Sequence, residues 1–166
     1  MSTNHTFHPQ PLSIVTLRNV KKIEVRENCF HTINRFELVG LHRLESIVIG
    51  STSVIGNITI ESSFIIEDCS YLYSVIIGEN SFTHYKSLVL KNCSNLREFD
   101  VGVRSFWYVQ IIELRVIGLE TITIGNQQFT YLESFIVDGL NRLTRLDVGE
   151  GNSNDSFISR SQSIDC

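Results

Sequence analysis

Alanine, the strongest helix former, is absent from this chain, while isoleucine and valine together supply thirty-four of its 166 residues. That balance works against helix and favours pleated, half-buried backbone. An excess of positive charge is missing too. The formal net charge is −4 and the pI about 5.7, so there is no basic footprint to neutralise phosphates or anionic lipid. Nucleic acid is therefore not expected as a partner. No apolar run approaches the length that spans a bilayer, and residues 1–10 lack the apolar stretch of a secretory signal. A cytoplasmic product is the default expectation, a fragment of a longer surface protein the exception. Cysteine is scarce: Cys29, Cys69, Cys93 and Cys166 are too spread for a disulfide framework, and no Cys-x-x-Cys or histidine pair has zinc-ligand spacing. Reduced thiols, no cofactor and no metal site are the expectations.

What the chain does contain is a repeat. A short apolar strand closed by glycine recurs as Ser46 to Gly50, Ser74 to Gly78, Glu98 to Gly102, Thr121 to Gly125 and Arg145 to Gly149, with a first copy, Lys22 to Arg26, that lacks the glycine. The closing positions lie 24, 28, 24, 23 and 24 residues apart. Six positions before each stands an apolar residue: Val20, Leu44, Leu72, Leu96, Leu119 or Leu143. Four positions after stands Phe30, Val54, Phe82, Phe106 or Phe129. A second alternating pair follows at ten and twelve: Phe36 with Leu38, Leu88 with Leu90, Ile112 with Leu114, and Phe135 with Val137. Phe64 with Ile66 joins them if four residues are inserted near Ile55 to Ile58.

Each unit thus holds two short strands of period two, joined by arcs too short for a helix of usual length. The expectation is an all-β solenoid of about six coils with two parallel sheets and little helix, stacked so that each apolar slot forms a column and the phenylalanines form a spine. The closing glycines are assigned to a turn that requires positive φ. The divisions expected are a polar leader over 1–11, the solenoid over 12–149 and a flexible polar tail over 150–166.

The run Leu72-x-x-Val75-x-Ile77-Gly78-x-x-Ser81-Phe82, followed by Leu88-x-Leu90-x-Asn92-Cys93, resembles the BspA-like leucine-rich repeats of bacteria and protists. The resemblance covers about Leu17 to Gly149. It implies a surface or interaction protein that binds other proteins, with no shared catalytic residue to carry over.

Candidate sites are weighed on the same register. Trp107, Tyr108, Tyr131, His84 and Tyr85 fall at nearby positions of three consecutive arcs, and aromatic residues along an exposed ridge have the composition of an interface hot spot. Val48 beside Ile76 on one sheet, and Ile65 beside Val89 on the other, place apolar side chains outward. Asp100 and Asp147 project two coils apart, about 9.6 Å by strand spacing, a separation compatible with inverting glycosidases. Thr123 between them supplies no cleft. Cys69 and Cys93 share a slot and are expected as buried thiols. The leading expectation is a non-enzymatic module that presents solenoid faces to a protein partner. The alternative is a parallel β-helix that acts on or binds carbohydrate. The array's ends need covers. Pro9 and Pro11 blunt the N-terminal end. The C-terminal end has no comparable cover, which implies either a piece of a longer array or end-to-end self-association.

Overall fold

The computed structural model describes residues 12–13, 18–31, 33–53, 61–126 and 131–148. The expected leader, the expected tail, Val54, Phe129 and Gly149 lie outside these residues.

Twelve strands follow one another: β1 (Leu12–Ser13), β2 (Lys22–Val25), β3 (Arg35–Val39), β4 (Ser46–Ile49), β5 (Ser63–Glu67), β6 (Ser74–Ile77), β7 (Ser87–Lys91), β8 (Glu98–Val101), β9 (Ile111–Arg115), β10 (Thr121–Ile124), β11 (Ser134–Asp138) and β12 (Arg145–Val148). No helix occurs among the described residues. Odd strands form one six-stranded parallel sheet and even strands the other, so the chain crosses between sheets at every step and winds as a solenoid. A long arc leads from each even strand to the next odd one, and a short arc leads back.

Registers match the sequence columns. Phe36, Phe64, Leu88, Ile112 and Phe135 are successive partners in the odd sheet, so the proposed insertion in the second coil is absorbed without a slip. Ile23, Ile47, Val75, Phe99, Ile122 and Leu146 run likewise through the even sheet. Alternation puts these rows inside, and the inner coils bury them almost completely. No coil has a core of its own, so burial depends on the neighbours above and below.

The aromatic core is two short stacks meeting edge to face. Phe36 lies on Phe64 with centroids 5.3 Å apart, and Phe82 on Phe106 at 5.1 Å. Phe64 meets Phe82 at 4.8 Å with planes at 76°. This herringbone satisfies the ring quadrupoles better than one continuous sandwich. It also corrects the expected spine, because Phe30 is 46% exposed and contributes no ring to it. Phe82 and Phe106 adopt φ of 53° and 54°, a backbone state that costs about 1–2 kcal/mol for an L-residue. Burial of each ring, roughly 1.5–3 kcal/mol, offsets that cost.

The closing glycines also need a different explanation from the one expected. Gly50, Gly78, Gly102 and Gly125 do not have positive φ; among described glycines only Gly40 and Gly139 do. Instead, a Cβ on Gly78 would stand 2.6 Å from the Ser51 nitrogen, and one on Gly102 the same distance from that of Glu79. Close stacking of one coil's backbone on the next is what excludes a side chain.

Behind the glycines runs a buried ladder that the apolar pattern does not reveal. Ser53, Ser81 and Ser105 are fully buried, one per coil. The Ser81 hydroxyl accepts from the Ser53 N–H at 3.2 Å and donates to the Gly50 carbonyl at 3.0 Å. Ser105 repeats this, accepting from the Ser81 N–H at 3.0 Å and donating to the Gly78 carbonyl at 2.7 Å. The ladder starts where the Cys29 N–H meets the Ser53 hydroxyl at 3.3 Å. Each hydroxyl therefore satisfies two backbone groups that the tight arc leaves unpaired.

Candidate aromatic interface

The long arcs after β6, β8 and β10 carry the aromatic residues singled out in the sequence. Position by position, His84, Tyr108 and Tyr131 occupy one outward column. His84 and Tyr108 rings lie 5.3 Å apart, tilted at 54°, and Tyr108 stacks on Tyr131 at 4.9 Å with planes within 11°. The arcs hold this column in place because their backbones bond coil to coil: the Tyr108 N–H donates to the Thr83 carbonyl at 3.0 Å. Tyr131, at the C-terminal end of the stack, is 49% exposed, and His84 and Tyr108 are half-buried.

Tyr85 does not belong to this ridge. Its ring is fully buried, edge-on to Phe82 at 5.0 Å, and its hydroxyl donates to the Ile33 carbonyl at 2.6 Å. One residue along an arc exchanges outside for inside, so Tyr85 stands with Val109 and Leu132 in the inward column. Trp107 is half-buried in the column beside the stack and makes no ring contact in it.

Two residues beyond the ridge, the arcs meet the odd sheet at a shallow depression of 450 Å³ lined by Arg35, Ser63, Lys86, Ser87, Gln110 and Ile111, among others. Further across that sheet the central outward row reads Glu37, Ile65, Val89, Glu113, Ile136. Glu113 bonds to Lys91 at 2.8 Å and to Arg115 at 2.6 Å. These cations, Lys91 first, hold its carboxyl below the usual carboxylate range in spite of partial burial.

On the even sheet, Val48 and Ile76 are cross-strand partners, and Asp100, Thr123 and Asp147 continue the same row. Asp147 is bound to Arg145 of its own strand at 2.9 Å. The sequence pattern does not mark Tyr73, which is 52% exposed and immediately precedes β6. Its neighbours in that corner column are Glu45 and Arg97, whose carboxylate and guanidinium are engaged by Lys21 at 2.8 Å and Glu120 at 3.2 Å. A signal exists, since Tyr73 directly follows the buried Leu72 in the repeat, but a lone tyrosine among charged column mates does not register as apolar pattern.

Cys69 and Cys93 are free, buried and in equivalent slots of adjacent coils. A thiol hydrogen bond to Cys69, with burial added, pushes the Cys93 thiol up. Among the described residues no three His, Cys, Asp or Glu are grouped to hold a metal ion, and no helix is long and apolar enough to cross a membrane.

Compared with known proteins, the chain matches no family model, no curated protein and no solved structure.

Proposed function

We propose that this chain is a protein-interaction module whose contact surface is the stacked ridge of His84, Tyr108 and Tyr131. One observation carries the reading: three rings on consecutive coils are already ordered against one another while the outermost keeps half its surface in water. Rings fixed before binding lose little side-chain entropy on contact, which is why aromatic residues dominate interface energetics. The polar depression that begins at Lys86 and Gln110 supplies a hydrogen-bonding rim beside the apolar ridge. The resemblance to BspA-like repeats points the same way.

The test is a site-specific photo-crosslinker at Tyr131, compared with one at Glu24 on the even sheet. A partner joined at Tyr131 and not at Glu24, and no longer captured there once His84→Ala and Tyr108→Ala are added in a chain whose melt is unchanged, supports the ridge. Equal capture at both positions, or capture indifferent to the ring deletions, rejects it.

A further inference from the structure

The last described strand of the even sheet, β12, pairs on one side with β10 and is the outermost strand there. Its Leu146 belongs to the inward row, yet it is 60% exposed, where Ile47, Val75, Phe99 and Ile122 of that row are exposed by 2% or less. Leu132, Phe135, Leu140 and Leu143 of the same coil are only partly buried. Among the described residues no strand pairs with the outer edge of β12, and the apolar cross-section of the solenoid opens beside it, a combination that favours strand addition.

Charge decides between the possible additions. Continuing the array in register would set β12 of one copy against β2 of the next, with Arg145 opposite Lys22 and Asp147 opposite Glu24. Both pairs are like charges, which destabilise a sheet when directly opposed. Reversing the added strand while keeping outward faces on one side requires a half-turn about an axis normal to the sheet. That rotation brings two identical ends together. With Leu146 at the centre, Arg145 of each copy then faces Asp147 of the other, so one self-complementary strip supplies both ion pairs.

We infer that this edge joins a second copy of the chain, β12 against β12 in antiparallel order, as a two-fold dimer. The even sheets become continuous across the axis, and the open apolar ends cover each other. The Arg145 and Asp147 pair within each strand, at 2.9 Å, presets both side chains on the outward face where the exchange occurs.

The experiment is sedimentation equilibrium of the full chain over a wide concentration range. A dimer is expected, and Arg145→Asp or Asp147→Arg alone should weaken it roughly tenfold, since each puts two like-charged pairs across the axis. The double exchange, Arg145→Asp with Asp147→Arg, should restore wild-type association, and ring deletions on the aromatic ridge should leave it unchanged. Head-to-tail stacking predicts the opposite, with Arg145→Asp alone strengthening assembly by facing Lys22. A strengthened Arg145→Asp assembly, a dimer indifferent to both single variants, or a full chain that stays monomeric would each overturn the proposal. The monomer would assign the edge to the chain's own residues 149–166.

Discussion

The hydroxyl of Tyr85 donates to the carbonyl oxygen of Ile33, 2.6 Å away and two coils nearer the N-terminus. Its phenol, pushed well above the usual tyrosine range by burial, stays a neutral donor. Replacing Tyr85 with Phe keeps the ring against Phe82 and strands the carbonyl, at about 1–2 kcal/mol. Tyr85→Ala should cost about 3–5 kcal/mol through the added cavity. Urea denaturation of both variants checks the order, and a Tyr85→Phe protein as stable as wild type would remove the bond from the account.

Ser81 serves two backbone partners at once, so Ser81→Ala leaves the Ser53 N–H and the Gly50 carbonyl without their bonds. The expected loss is about 1–3 kcal/mol, larger than for an exposed serine such as Ser94. Amide exchange at Ser53 should rise in the same variant.

Gly78→Ala and Gly40→Ala separate crowding from backbone strain. At Gly78 the new methyl carbon would lie 2.6 Å from the Ser51 nitrogen, forcing two coils apart. At Gly40 nothing lies within 4 Å, and the penalty is the φ of 66° alone, about 1–2 kcal/mol. Thermal melts should place Gly78→Ala well below Gly40→Ala; the reverse order would contradict the close stacking of coils.

Glu113 gives the fold a defined acid sensitivity. Because the folded chain holds this carboxyl below its ordinary value of about 4.3, its contribution to stability is fully present above that pH. It is lost as pH falls through the lower folded value. Glu113→Gln should therefore be destabilised at pH 7, and the gap to wild type should close as the pH drops below 4. A gap that stays constant between pH 7 and pH 3 would detach Glu113 from Lys91 and Arg115.

The winding could be read in the sequence because Leu44, Leu72, Leu96 and Leu119 keep one phase with the strands that follow them, and burial of these rows is what the fold needs. The reasons behind several slots could not be read there. Gly78 is required by a neighbouring coil's nitrogen, a contact no local pattern contains. Ser53, Ser81 and Ser105 resemble polar surface in a hydropathy scan, although their hydroxyls are fully committed inside. Tyr85 and His84 are adjacent aromatic residues in sequence, and only the geometry of the arc sends one into the core and the other to the ridge. Phe30 fits the phenylalanine phase but stands 46% exposed in the arc between β2 and β3.

The 28-residue interval between Gly50 and Gly78 leaves the ladders of β4 with β6 and β3 with β5 in perfect step. Chain length is thus negotiable in this bay without rewinding the molecule. A foreign peptide grafted between positions 54 and 60 would be carried as cargo by a frame whose registers are set elsewhere.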